Sequence, residues 1–373
     1  MELENRTPVS ATLVAAEVHE ALPRIGLLVA KATFRFLPDG SVGLDRDTPY
    51  PVFEADEETP MGLLPRDTIP RTDPAFEVVL LGSAHAQGGN PVERMYVTLG
   101  VGDHVRHLLV VGDRWWHIQL GDDGWPVPQA CEPTDPTPFT RMPLTWDRSF
   151  GGSAVALIAP DSPLTVSHPL NPPGRGFDPA PPVRSLVEDI GAPPGFPTME
   201  WIRPLPNLED PEAPITAWDS DPRPVGWATL PLASGIRAMS VHLPESGDDA
   251  PILPSLARPP ELPPEILHRA HPDWVLPNAP PRGSWIFLRG LVRDRWELHL
   301  PLPPLRVLGD YRVSSREGTL ELRPHLLAIL PDEGRFYLVY RTTFRFDFDP
   351  RSERCFRLRL ERGWYEPPEA GTP

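Results

Sequence analysis

The chain has 373 residues, of which 54 are Pro and 28 Gly, yet 40% are hydrophobic and 11 are Trp. That apolar and aromatic content is enough to bury a core, which excludes wholesale disorder. The proline load, against a usual share of about 5%, excludes a helical bundle or coiled coil, because Pro removes a helix donor and clashes with the preceding turn. The net charge of −16 excludes a broad basic face for nucleic acid, since phosphate contacts need clustered positive charge.

The N-terminus, Met1-Glu2-Leu3-Glu4-Asn5-Arg6, has no basic start followed by an apolar stretch, so no secretory signal is expected. No apolar run approaches the ~18–20 residues of a membrane span. The expectation is a soluble, cytoplasmic protein with no membrane association. Cys131 and Cys355 are the only cysteines and form no CxxC pair, which excludes a cysteine-type zinc site and a disulfide framework. Lys31 is the only lysine, and the other 34 basic residues are Arg.

In chain order, residues 25–36 read first as a strand, apolar and then alternating, closed by the turn Pro38-Asp39-Gly40. Strands follow at 76–81, 95–100 and 105–111, the last ending at Gly112-Asp113. Residues 284–290, 296–302, 319–330 and 335–348 repeat the style near the C-terminus. Short helices are expected only at 183–190 and 263–270, the latter with Pro in its first turn. Prolines number 10 in residues 1–125, 35 in 126–281 and 9 in 282–373. The expected fold is therefore mainly β: two antiparallel sandwich- or barrel-like units, 1–125 and 282–373, standing apart or packed as one body and joined by a long Pro-rich, loop-dominated segment, 126–281. Trp146, Trp201, Trp218, Trp227 and Trp274 would pin that segment to the β units. Residues 29–36 align with 339–346, both carrying basic-x-Thr-Phe-Arg-Phe, and 78–82 echo 286–290. Chance similarity of strands and a structural duplication are both open.

Chemistry-bearing patterns are sparse. His104, His107 and His117 lie within 14 residues, but on a strand His104 and His107 point to opposite faces, which favours solvated hairpin residues over a metal site. Ser153 has no nucleophile-elbow context, and Cys131 sits in a Pro-rich loop. No phosphate-binding glycine loop is present. The acidic pairs Asp122-Asp123, Asp248-Asp249, Asp347/Asp349 and Glu57-Glu58 read as turn residues, with Ca²⁺ binding by Asp347 and Asp349, on one face of a strand, as the alternative. No metal or other cofactor is expected.

The middle segment differs in kind. Residues 139–152, 171–177, 205–211 and 224–227 mix aromatics, arginines and glycines at close spacing. Trp, Arg and Phe are the residue types enriched at binding hot spots. They select Arg141, Trp146, Asp147, Arg148, Phe150, Asn171, Arg175, Phe177, Asn207 and Trp227 as candidates for partner contact. The competing reading is that these residues hold the loops onto the scaffold.

The order MPLTWDRSFGG (142–152), NPPGRGF (171–177) and LPNLEDP (205–211), with KATFRF (31–36) and LLGSAHAQGG (80–89) upstream and NAPP (278–281) downstream, resembles the bacterial domain-of-unknown-function family numbered 2169. The resemblance implies a non-enzymatic adaptor or chaperone of type VI secretion. Such a protein would hold a secreted effector and help load it onto the spike, through the valine-glycine-repeat trimer or its PAAR-type tip. It carries over no catalytic residues. A negative surface would favour basic effector segments. A hydrolase acting from the middle segment and a structural part of the secretion particle are the alternatives.

Overall fold

The computed structural model describes residues 2–16, 24–69, 71, 73–119, 131–159, 162–177, 200–231, 267–313, 316–346 and 354–363. Within them the regular structure is strand, broken by single 3-10 turns. Both expected strand clusters are present. Residues 183–190 and 263–266 lie outside the described residues, and so do the acidic pairs at 122–123, 248–249 and 347–349.

The larger sheet has ten strands. Its main path runs Glu2–Glu4, Arg354–Arg362, Leu305–Val313, Arg316–Leu330, Arg335–Phe346, Arg24–Phe36, Ser10–Ala16. The first and last of these are successive in the chain, so the sheet curls until its two ends approach. The turn between them is tied by Asn5, whose Nδ2 donates to the Val9 carbonyl at 2.8 Å. At the centre, Arg24–Phe36 and Arg335–Phe346 pair antiparallel from Arg335 opposite Arg35 to Phe346 opposite Arg24. The two look-alike strands are thus neighbours in one sheet. The second echo falls in two different sheets and does not extend the relation.

A five-stranded sheet runs Leu208–Glu209, His104–Val111, Arg94–Val101, Trp285–Val292, Arg295–Pro301. Here too an N-terminal strand lies beside a C-terminal one, with Leu99 opposite Leu288. The flanks interleave in both sheets and share one apolar core. The larger sheet is also mixed rather than antiparallel, since Glu2–Glu4 pairs parallel with Arg354–Arg362 and Phe76–Leu80 with Arg316–Leu330. Parallel neighbours need long crossovers, and strands drawn from opposite ends of the chain have them.

The middle segment is pinned at several points. Val275–Leu276 pairs with Phe76–Leu80, Arg141–Pro143 with Ser83–His85, and Leu208–Glu209 extends the smaller sheet. Residues 336–341 are buried on both faces. Phe336, Leu338 and Tyr340 take one face and Tyr337, Val339 and Arg341 the other, as strand periodicity requires. The second face brings Lys31 and Arg341 inside the protein, where Asp67 pairs with Lys31.

Candidate functional site

The four motif stretches converge on one platform. Trp146–Arg148 is a single 3-10 turn. The Trp146 indole is buried, donates from Nε1 to the Ala228 carbonyl at 3.1 Å, and lies against Gly226, where a Cβ would sit 3.2 Å from the ring. Trp227 is buried edge-on to Trp274, and its carbonyl accepts from the Leu80 N–H. The platform is thereby fastened to the larger sheet.

Two asparagines with no exposed surface organise the interior. Asn171 Nδ2 donates to the carbonyls of Trp146 and Phe150 at 2.9 and 2.8 Å. Asn207 Nδ2 donates to the Val111 carbonyl and to Asp113 Oδ1, both at 3.0 Å, while its Oδ1 accepts from Arg148 at 3.0 Å. Each side chain satisfies main-chain groups of loops that have no ladder partner, a satisfaction that buried backbone demands. Phe150–Gly151 bridges Arg175–Gly176 in parallel. Gly151 has φ +140°, and a Cβ there would press into the Asn171 carbonyl, so this position needs glycine.

The outer side of the platform is a charged ridge. Arg148 Nη1 and Arg175 Nη1 approach Asp113 Oδ1 at 3.5 and 3.7 Å, and Arg175 Nη2 approaches Asp147 at 3.6 Å. Arg175 Nε donates to the Asp147 carbonyl at 2.8 Å. Burial, then the charge of Arg148, lowers the Arg175 pKa. The Asp147 and Arg141 side chains are each 55% exposed. Arg141 lies nearby: it donates to Ser83 Oγ at 3.0 Å and to Asp332 Oδ2 at 2.9 Å. His85 Nε2 bonds Asp332 Oδ1 at 2.8 Å, and Ser83 Oγ donates to Asp332 Oδ2 at 2.9 Å. Burial raises the Asp332 pKa, but the bonds from His85, Arg141 and Ser83 outweigh it and hold the group at about 2. The carboxylate stands between Ser83 and His85, whereas activation of a serine needs the imidazole between the two. This cluster ties the Pro331–Glu333 turn to the motif strands.

Of the ten candidates, Trp146, Phe150, Asn171, Asn207 and Trp227 are buried. Arg148, Arg175 and Phe177 are half-buried, and Arg141 and Asp147 carry the most exposed heads. Phe177 packs edge-on against His168, which in turn meets Phe150. A hollow beside Phe150, lined among others by Trp116, Pro204 and Trp218, has a volume of about 10 Å³, room for about one water and far below the roughly 300–1,000 Å³ of small-molecule sites.

Elsewhere the three histidines do not converge. His104 Nε2 meets the Asp273 carbonyl at 2.6 Å, and His107 Nδ1 bonds the Thr98 hydroxyl at 2.9 Å. His117 lies in a third sheet. The exposed Ser153 hydroxyl bonds that of Ser167 at 2.7 Å.

KATFRF leads instead to an interior ionic layer. Lys31 Nζ is 2.5 Å from Asp67, both side chains fully buried, and sits 3.4 and 4.4 Å from the ring centroids of Phe53 and Tyr337. Burial lowers the Lys31 pKa to about 8 in spite of Asp67. Next to it Arg71 donates to Asp73 and Glu77, and Glu77 also accepts from the N–H groups of Arg269 and Ala270. His268 reaches Asp73 at 3.2 Å. Asp67, Asp113 and Asp332 were not singled out from the sequence, because each reads locally as a loop or turn acid and acquires its partners only through the fold.

No curated protein and no solved structure matches the chain. A family model described as "Uncharacterized protein conserved in bacteria (DUF2169)" matches residues 23–341. That span takes in Lys31 and Asp67, the Ser83–His85 strand, the tryptophan turn, both buried asparagines and Arg341. With a match that begins before the first central strand and ends within the second, the chain belongs to this DUF2169 family.

Proposed function

We propose that the protein is a non-enzymatic adaptor of type VI secretion, which binds a secreted effector or its PAAR-type or spike carrier in the cytoplasm and helps load it. One observation supports the reading most directly: the motif residues divide into buried pins and exposed charged heads. Asn171, Asn207 and Trp146 fix the loops from inside. Arg141, Asp147, Arg148 and Arg175 stand on the outer side with guanidinium and carboxylate groups at the surface. Arginine forks on a rigid scaffold suit a protein partner, because planar donors bind carboxylates bidentately and little side-chain order is lost on contact.

The test is co-expression with candidate effectors and PAAR-type proteins, followed by size-exclusion chromatography with light scattering. Asp147→Arg alters a half-exposed head and costs up to about 1 kcal/mol of stability, whereas Arg141→Glu also sets a carboxylate against Asp332, so melting is read beside binding for both. Either is expected to weaken the complex about tenfold, or about 1.4 kcal/mol. A complex that forms equally well with both substitutions together overturns the ridge as the contact surface. Failure to bind any such partner overturns the adaptor reading itself.

A further inference from the structure

The chain treats the two edges of the five-stranded sheet differently. At one edge Leu208 and Glu209 pair with Val110 and Leu109, and the Asn207 carbonyl accepts from the Val111 N–H at 2.8 Å. At the other edge lies Arg295–Pro301, whose strand neighbour on the inner side is Trp285–Val292 and which has none on the outer side among the described residues. The bonding phase of this edge strand follows from its end. Leu302 N–H donates to the Ser284 carbonyl at 2.9 Å, so Ser284/Leu302 is a bonded pair. Bonded and non-bonded pairs alternate in an antiparallel ladder. Ile286/Leu300 and Leu288/Leu298 are then bonded, while Trp285/Pro301, Phe287/His299 and Arg289/Glu297 are not. The N–H and C=O groups of Glu297 and His299, and the C=O of Pro301, therefore point away from the sheet. Such a row is a template for another strand.

We propose that the occupant of this edge is the same strand of a second copy of the chain, antiparallel about a two-fold axis through Leu298. This register sets Glu297 opposite His299 of the second copy and, by symmetry, His299 opposite Glu297. Both are outward-bonding positions, so four main-chain hydrogen bonds form. Centring the axis on Glu297 would oppose two carboxylates, and centring it on His299 would set Glu297 against the missing N–H of Pro301. The chosen register also places the Glu297 carboxylate, held by Arg289 at 2.6 Å, beside an imidazole. Side-chain patterning agrees. The outer face of the larger sheet carries an ion-pair ladder, such as Arg359 with Asp310 and Arg306 with Glu321. The outer face beside the open edge instead exposes Trp285 by 51% and Tyr96 by 59%, with Phe287 half-buried between them. The two-fold pairing joins two such aromatic faces in one ten-stranded sheet.

The test is the solution mass of the full chain by size-exclusion chromatography with light scattering, over a dilution series. The expected mass is twice 41.5 kDa, falling to 41.5 kDa in His299→Pro, whose melting is expected to match that of His299→Ala because both lose the ring contact with Phe287. That substitution removes an N–H the protein does not use internally, at an edge position where Pro is tolerated. If it fails to fold, Glu297→Cys/His299→Cys decides. Bonded pairs hold Cα atoms about 5.5 Å apart, within disulfide reach of about 4.4–6.8 Å, so oxidation is expected to link two copies covalently, which Glu297→Cys alone does not do. A wild-type mass of 41.5 kDa at the highest attainable concentration overturns the proposal. A doubled mass that persists in His299→Pro without cross-linking also overturns it, as does an edge filled by a segment of a different protein on a monomeric chain.

Discussion

Replacing Lys31 by Met tests the interior ionic layer. The ammonium is fully buried against Asp67, with the rings of Phe53 and Tyr337 on its flanks. Its pKa falls from 10.5 to about 8, which corresponds to roughly 3 kcal/mol against the charged form even with Asp67 present. Lys31→Met keeps the stem but leaves the Asp67 carboxylate with the Phe53 N–H at 2.7 Å and without its cation. Breaking a buried pair this way costs about 3–5 kcal/mol, and relief of the ammonium's own burial cost places the loss near the low end, about 3 kcal/mol. Replacing both partners, Lys31→Met/Asp67→Asn, is expected to return to within about 1 kcal/mol of wild type, because neither residual charge is stranded. Urea unfolding at neutral pH, read by tryptophan fluorescence, measures both losses. Since Lys31 is the only lysine, Cε-labelled lysine gives a single side-chain resonance whose titration reports the site. The native state releases this proton near pH 8 and the unfolded chain near about 10.4. The unfolded state therefore binds more protons between those values, and stability rises with pH across that window in the wild type but not in Lys31→Met. Equal destabilisation of the single and double variants, or a lysine resonance titrating at its ordinary pH, refutes the reasoning.

Asn171→Ala strands the buried Phe150 carbonyl and leaves that of Trp146 with the Ser149 N–H alone; a loss of about 1–3 kcal/mol is expected in urea unfolding, and a loss below about 0.5 kcal/mol contradicts the role as pin. Gly151→Ala meets both a φ of +140° and the Asn171 carbonyl, whereas Gly89→Ala meets a φ of +73° in open space. The first is expected to lower the melting temperature well beyond the second, whose cost is the left-handed penalty of about 1–2 kcal/mol alone. Asp332 is held at about 2 by His85, Arg141 and Ser83. Its contribution is complete above the unfolded carboxylate pKa of about 3.9 and is lost as pH falls toward 2. About 1–2 kcal/mol, after allowance for its partial exposure, should disappear over that range, and Asp332→Asn should flatten that part of the stability–pH curve.

The strands were legible because their signal is local. Alternation at 95–100 and 105–111 places Val97, Leu99, Leu108 and Val110 inside, and the turns at Gly40 and Gly102 take the positive φ values such turns use. The interleaving of the two flanks was not legible, because pairing partners hundreds of residues apart leave no trace in periodicity. Arg24–Phe36 and Arg335–Phe346 resemble each other in sequence and share an environment as central neighbours, each presenting a basic side chain, Lys31 or Arg341, to the same interior layer. For the motif segments, composition identified the right residues and left their role open. A buried Asn that caps loop carbonyls and a surface Asn that contacts a partner read alike in one dimension. Proline density is high for the same reason: loops without ladders need fixed dihedrals and side-chain donors.

The ridge and the open edge occupy opposite ends of one sheet, and this separation has a measurable consequence. Asn207 joins Arg148 of the ridge to Val111, in the second strand of the five-stranded sheet. Arg295–Pro301 is the fifth strand in that order, and three strand spacings of about 4.8 Å place it roughly 14 Å away. Substitutions that far apart with no shared partner act independently. His299→Pro is therefore expected to halve the mass of the particle without changing effector affinity per chain, and Asp147→Arg to weaken effector binding without changing the mass of the free protein. If His299→Pro also weakened effector binding, the effector would have to span both copies. The ridge would then be half of a composite surface rather than a complete one.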